Sequence, residues 1–449
     1  MAKQELKRDL KNRHVQLIAI GGTIGTGLFL GSGKSIHLAG PSILLAYLII
    51  GIALFFVMRA LGELLLSNTN HTSFIDFAAE YLGPWAGFVT GWTYWFCWIM
   101  TAMADIIAVG LYTQYWFDIP QWVPAIICLV ILLGLNLLTV KLFGELEFWF
   151  AIIKVITIVA LIFIGIVLLV IGFETDNGPV SISNLWNHGG MFPNGISGFL
   201  LSLQMVVFSF VGVELIGVSA AETANPRKNI PSAINKIPVR ILLFYVGALF
   251  VILCINPWDQ LNATSSPFVG VFALIGIPMA AGIINFVVLT SAASASNSGL
   301  FSTSRILYNL SNNKEAPKKL SRLNKHHVPS NALLTSTIVV SIGALLSKLI
   351  PDQAFTIVTT ISAICFIWVW SIILLSHIKY VKTRPDLRAK STFKAPLTPS
   401  INYVILGMFA FILIVMLFAA ETRLAMLLTP LWFILLIILY NLQKKKRLR

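Results

Sequence analysis

Charge is scarce in this chain. Asp, Glu, Lys and Arg make up 11% of its 449 residues, hydrophobic residues make up 57%, and the mean hydropathy is +0.84. No ordinary soluble fold of this length carries such a balance, so the bilayer is read as the solvent. Cysteine is scarcer still: Cys97, Cys128, Cys254 and Cys365 lie in apolar runs without CxxC spacing, which argues against a zinc site or a disulfide framework. The seven histidines, His14, His37, His71, His188, His326, His327 and His377, fall near run ends without metal-ligand spacing. Neither HExxH nor GxSxG occurs, so no cofactor, no metal and no hydrolase or acyltransferase chemistry is expected. The fragment GSGKS at 31–35 lacks the leading glycine and preceding strand of a phosphate-binding loop. A cleavable signal is not expected either, because the polar, basic start MAKQELKRDLKNRH leads into an apolar run without a small-residue cleavage site.

What is present is a succession of apolar runs long enough to cross about 30 Å of hydrocarbon. Twelve spans are expected, beginning near Val15, Pro41, Trp85, Trp122, Glu147, Ile196, Val239, Gly276, Asn331, Ala354, Ile401 and Leu424. With this count, all 32 Lys and Arg residues except Lys34, Lys348 and Arg423 fall on one side. The positive-inside rule makes that side cytoplasmic and puts both termini there. The net charge of +14 is therefore a topological signal and a source of attraction to anionic membrane lipid, and nucleic acid is not needed to explain it. Tyr112, Tyr115, Trp116 and Trp122 are expected to form part of an interfacial aromatic belt.

Two Gly-rich interruptions, GGTIGTG at 21–27 and SFVG at 209–212, fall about midway through predicted spans 1 and 6. Broken backbone at bilayer depth survives only where protein, water or a ligand supplies hydrogen-bond partners. Breaks five spans apart predict an inverted repeat with the site at its centre, as in secondary transporters. A half-helix starting near Thr26 and Gly27 offers N–H groups and a positive dipole end to a carboxylate. Carbonyls of Ser209, Phe210 and Val211 offer acceptors to an ammonium group. Together they suit an α-amino acid; the competing reading is that the glycines serve only close helix packing.

At this level of detail a family resemblance is visible. GTIGTGLF at 22–29, FSFVGVE at 208–214 and AAETANPRKNIP at 220–231 resemble the amino acid–polyamine–organocation (APC) superfamily, essentially end to end. MADIIAVGLYTQYWF at 103–117, KLFGELEFWFAIIK at 141–154, INFVVLTSAASASNSGLFSTSR at 284–305 and TPLWFI at 429–434 resemble, within it, bacterial D-serine, D-alanine and glycine permeases. The resemblance implies an all-α fold of twelve transmembrane helices. Spans 1–5 and 6–10 form a 5+5 inverted repeat with discontinuous spans 1 and 6, and spans 11 and 12 lie outside it. It also implies proton-coupled import, with substrate and protons meeting at a central site formed by spans 1, 3, 6, 8 and 10. By position, it assigns carboxylate binding to Thr23, Ile24, Gly25, Thr26 and Gly27 and amine binding to Ser209, Phe210 and Val211. Phe208 takes the aromatic gate position. Relatives with bulky or cationic substrates carry Trp there, so Phe208 favours small cargo. Ser291 and Ser294, with Ala292 and Ala293 between them, are candidates for a small-residue lining.

Ionisable groups inside spans need a partner or a task. Lys154 is where the resemblance places a lysine that couples transport by gaining and losing a proton; the alternative is that its stem reaches back to the interface. Glu214, in the family's FxGxE pattern, either senses protons or braces the broken helix. Thr101 and Asp105 share a helical face, where Asp105 either meets the substrate ammonium or bonds neighbouring helices. Arg59 and Glu63, also four apart, are expected to form an ion pair or gate.

The whole chain is read as one transporter domain: a cytoplasmic N-terminus (1–14), a first repeat with its following loop (15–195), a second repeat (196–380), two extra spans with the preceding loop (381–441) and a basic tail (442–449). The segment 222–238 reads as a polar, proline-bounded cytoplasmic connector. The expected function is proton-coupled import of a small neutral amino acid. A broad neutral L-amino-acid symporter or an exchanger is the alternative within the class, and a channel the alternative outside it. Oligomeric state is left open by the sequence.

Overall fold

The computed structural model describes residues 24–447 apart from 69, 72, 139, 216–224, 264 and 276–277. Thr23, the basic N-terminal stretch, the start of predicted span 1 and the residues 220–224 singled out above lie outside the described residues. The described chain is overwhelmingly helical; its one sheet is a two-stranded ribbon in which Glu174–Thr175 pairs with Gly178–Pro179. Nine helical stretches among the described residues are long and apolar enough to cross a membrane, and Trp122–Leu138 and Gly195–Ser209 are shorter apolar helices. The protein is a multi-pass membrane protein.

The elements that build the site can be taken in chain order. α1 (Thr26–Phe29) and α2 (Gly31–Ala39) are the outgoing half of predicted span 1. A turn at Gly40–Ser42, with Gly40 at φ +60, reverses the chain into α3 (Ile43–Ser67). The short α4 (Phe74–Leu82) lies before α5 (Pro84–Thr113), whose proline occupies the first helical position, where its missing N–H costs nothing. α6 (Trp122–Leu138), α7 (Val140–Ile171) and α8 (Gly195–Ser209) follow. α5 is the axis of the molecule: its most apolar stretch is 83% buried, against 17% for that of the last helix.

In the second half, the chain from Pro226 to Ile255 is one helical run. It comprises α9 (Pro226–Asn235), α10 (Ile237–Arg240), a π-helical turn (Ile241–Gly247) and α11 (Ala248–Ile255). The expected polar connector is thus helical from Pro226 onward. Pro226 and Pro238 sit at helix starts, where proline is compatible with helix, and only Pro231 lies in an interior. Then come α12 (Pro267–Leu274), α13 (Pro278–Asn312), α14 (Ser330–Leu349), α15 (Pro351–Thr383), α16 (Pro385–Ala389), α17 (Ser400–Phe418) and α18 (Ala420–Arg447). α13 and α15 pack along α5, α2 packs on α8, and α17 and α18 expose most of their apolar surface at the periphery.

Three sequence expectations are revised here. α7 starts at Val140, so Glu147 lies two turns inside a helix rather than at its beginning. Tyr112 is buried, so only Tyr115, Trp116 and Trp122 remain exposed candidates for an aromatic belt. Arg59 does not pair with Glu63. Arg59 lies over the Phe393 ring and donates to Asn235 Oδ1 and the Lys394 carbonyl, while Glu63 is held by His377, Arg388 and the Ala395 N–H. Helical spacing identified neighbours on one helix; the residues between spans were beyond its reach.

Candidate functional site

The described part of the first Gly-rich stretch meets the second. α1 starts at Thr26 after Gly25, which is extended (φ −130, ψ −159) and supplies no side-chain cap, so the first-turn N–H groups lack the partners a capping side chain would give. α8 ends at Ser209, and the chain continues through tight turns: Val211 N–H donates to the Phe208 carbonyl (3.1 Å), Val213 N–H to Phe210 (3.2 Å) and Leu215 N–H to Gly212 (3.0 Å). Gly212 has φ +91, a conformation that side-chain-bearing residues rarely adopt. A Cβ at Gly27 would sit 2.6 Å from Ser209 Cα, so glycine is what permits the two backbones to touch.

Around this junction lies a pocket of about 380 Å³, counting its open mouth. Gly25, Thr26 and Gly27 line it from α1 and the residue before it, Phe208, Ser209 and Val211 from the second interruption, and Trp98, Thr101 and Asp105 from α5; Ala295 and Ser298 of α13 complete the wall. Asp105 is 1% exposed; its Oδ1 accepts a 2.7 Å hydrogen bond from the Thr26 hydroxyl. Its Oδ2 is buried without a hydrogen-bond partner among the described residues. Thr101 donates to the Cys97 carbonyl (2.9 Å) and lies 2.9 Å from the Ser362 hydroxyl, linking α5 to α15.

Ser209 is fixed from two sides. Tyr47 OH donates to its Oγ (2.9 Å), Tyr245 OH donates to its carbonyl (3.3 Å), and Ser209 Oγ donates to the Met205 carbonyl (2.9 Å). Phe210 is sandwiched with the same two tyrosines, its ring stacked on Tyr245 at 4.7 Å, so its side chain belongs to the support and not to the pocket wall. Phe208 meets Phe355 of α15 edge-on at 6.3 Å, beside the pocket.

Of the residues singled out in the sequence, Gly25, Thr26, Gly27, Thr101, Asp105, Phe208, Ser209 and Val211 come together in one wall. Ile24 is buried beside them, and Ser291 Oγ reaches its carbonyl at 3.5 Å. Ser294 faces elsewhere: it accepts from Lys154 Nζ (3.3 Å) and donates to Glu147 Oε2 (3.0 Å). Lys154 is 2% exposed, so its nitrogen does not reach back to the interface. Glu214 accepts from Tyr94 OH (3.1 Å) and Trp370 Nε1 (3.5 Å), as a brace would. Trp98, Ala295, Ser298 and Glu147 were missed in the sequence. Trp98, Ala295 and Ser298 carry no charge to draw attention inside an apolar run, and Glu147 was read as a span end. No group of three or more His, Cys, Asp or Glu residues able to hold a metal occurs among the described residues, and Cys97, Cys254 and Cys365 are buried and not disulfide-bonded.

Comparison with known proteins agrees with this architecture. Residues 14–449 match the family described as "Amino acid permease". The chain is 61% identical to amino-acid permease AapA of Bacillus subtilis (99% of this chain, 96% of the relative). It is 54% identical to the D-serine/D-alanine/glycine transporter of Escherichia coli K12 (97% and 93%), and 45% identical to the probable threonine/serine transporter YbxG of Bacillus subtilis (98% and 96%). The family and these relatives are permeases and transporters, not enzymes. The chain belongs to the amino acid permease family.

Proposed function

We propose that the protein imports small neutral amino acids of the glycine, D-alanine and D-serine class across the cytoplasmic membrane, coupled to protons, by alternating access. The observation that carries this reading is that the start of α1 and the end of α8 meet at one pocket. The start of α1 presents N–H groups and a positive dipole end to a carboxylate, and the turns after α8 bring carbonyls beside it; those of Ser209 and Phe210 already accept from Tyr245 OH and Val213 N–H, so an ammonium would share them. Asp105, whose Oδ2 has no hydrogen-bond partner among the described residues, adds a carboxyl group to the same wall. The wall contains the indole of Trp98 and the ring of Phe208 but also Gly25, Gly27 and Ala295, which suits a small side chain. The name of the E. coli relative points to the same substrates.

In this reading the chain has twelve spans. The bend at Gly40–Ser42 separates spans 1 and 2, α6 and α8 serve as spans 4 and 6, both termini are cytoplasmic, and spans 1–5 and 6–10 are the two inverted repeats. Lys154 is the proton-coupling residue, Glu214 braces the second interruption, and Phe208 gates the pocket. A second reading, broader neutral L-amino-acid transport, draws support from the relative named a threonine/serine transporter.

The deciding experiment is uptake of labelled D-alanine into proteoliposomes under an imposed proton gradient, with glycine, D-alanine, D-serine, L-alanine and L-leucine as competitors. Uphill accumulation blocked by glycine, D-alanine and D-serine is expected. Inhibition by L-leucine alone would overturn the small-substrate reading, and flux without accumulation would indicate a channel.

A further inference from the structure

A line of buried polar side chains leaves Lys154 and runs away from the pocket. Ala295 and Ser298 of α13 line the pocket; the neighbouring row of the same helix carries Ser294 and Asn297. Lys154 Nζ donates to Ser294 Oγ (3.3 Å), and Ser294 Oγ donates onward to Glu147 Oε2 (3.0 Å). Asn297 Nδ2 donates to Glu147 Oε1 (3.2 Å) and Asn136 Nδ2 donates to Asn297 Oδ1 (2.6 Å). Lys154 is 2% and Glu147 3% exposed, so neither is held in place by solvent. Seven residues of helix separate them, about 10 Å along α7 at 1.5 Å per residue. Glu147 lies nearer the start of α7, and Asn136 lies in the last turn of α6. Asn324, beyond α13, also reaches this end, donating to the Leu137 carbonyl (3.2 Å). In the topology proposed above this is the cytoplasmic end.

We propose that Ser294 and Glu147 form the exit by which the coupling proton leaves Lys154 for the cytoplasm. The hydrogen bonds already point in the required direction. An N–H bond of the Lys154 ammonium breaks as its proton joins Ser294 Oγ. The Ser294 O–H bond breaks at the same time and its proton joins Glu147 Oε2. An ammonium and a carboxylate become an amine and a carboxylic acid with no net change of charge in the membrane. Glu147 then releases its proton to water from the cytoplasmic end, and the amine is free to take another from the pocket side. The transfer itself leaves the pair neutral, and only between release from Glu147 and reprotonation of the amine does the pair carry one negative charge, which the hydrogen bonds of Ser294 and Asn297 to Glu147 help to hold. Among the described residues, the charged groups whose fields reach Lys154 are Glu147 on its own helix and Asp105 on α5. α6 and α13 contribute Asn136, Ser294, Asn297 and Ser298, and the π-helical turn and α11, which also pack on α7, carry Tyr245 and Cys254 as titratable side chains.

The proposal rests on Lys154 carrying the coupling proton, and the experiment separates the two ideas. Parent, Glu147→Gln, Glu147→Asp and Ser294→Ala are reconstituted and compared in counterflow at equal pH and in accumulation driven by a proton gradient. Glu147→Gln is expected to keep counterflow but accumulate at least about tenfold less than the parent, as loss of a positioned proton acceptor implies. Glu147→Asp restores part of the accumulation, and Ser294→Ala lowers it. Parent-like accumulation by Glu147→Gln overturns the exit while leaving coupling at Lys154 standing. If Glu147→Gln loses counterflow as well, Ser294→Ala decides: parent-like accumulation there overturns the exit. A parent that does not respond to the gradient overturns coupling and exit together.

Discussion

Glu63 and Asp105 are both carboxylates sealed inside the helical bundle, and they differ in how completely they are bonded. Glu63 Oε2 lies 3.0 Å from His377 Nε2 and accepts from the Ala395 N–H at 2.6 Å, while Oε1 faces Arg388 Nε at 3.4 Å. His377 in turn is held by Asn402 of α17. Every oxygen there is occupied, and the result is a knot joining α3, α15, α17 and the segment after α16. Asp105 has one oxygen on Thr26 and one without a hydrogen-bond partner among the described residues, and the residue lines the pocket. A buried polar group without a partner is costly to maintain, so it persists where something else bonds it for part of a working cycle. A saturated carboxylate holds helices together; an unsaturated one at a cavity is read as a place for cargo.

This contrast can be broken most forcefully at Glu63. Glu63→Ala removes the acceptor shared by three donors and is expected to lower unfolding stability by about 3 kcal/mol, the low end for a severed buried pair because Arg388 retains some access to water. Thermal unfolding in detergent against the parent measures it. Gly27→Val comes next: a branched side chain against the Ser209 backbone is expected to cost about 2 kcal/mol of overpacking and to abolish uptake. Retained transport would show that α1 and α8 need not touch.

Asp105→Asn sharpens the comparison from the other side. The amide oxygen still accepts from Thr26, so stability should change by less than about 1 kcal/mol, whereas KM for substrate should rise about tenfold or more through loss of a carboxyl acceptor. Equal losses in stability and KM would make Asp105 another knot. Lys34→Ala supplies the baseline. Lys34 donates to Thr356 and pairs with Glu421 at a partly exposed edge, and such pairs contribute about 1 kcal/mol or less. A larger shift in melting would mean that this edge is a latch rather than a rim contact.

Much of this contrast was only half legible in the sequence. Asp105 and Thr26 were each singled out, one as an intramembrane acid and the other as a helix start, yet nothing in the chain announces a bond between residues 79 apart. Glu63 was matched to Arg59 because helical spacing reports only partners on the same helix; its real partners come from residues 377, 388 and 395. The interruptions themselves were readable because glycine at bilayer depth is a local signal. Which face of α13 looks into the pocket was not, since Ser291, Ser294 and Ser298 are chemically alike and only packing tells them apart. Glu147 escaped for a related reason: hydropathy marks where an apolar run begins, and α7 begins seven residues earlier.

Residue 27 adds nothing to the pocket by way of charge, polarity or reach. Its contribution is the room left by an omitted methyl group, through which one main chain rests on another. Heritable change that retunes which cargo is accepted is therefore steered toward the surrounding walls, such as positions 98, 208, 295 and 298, while the crossing itself tolerates no enlargement. Selectivity can drift around a contact whose own identity is dictated by shape alone.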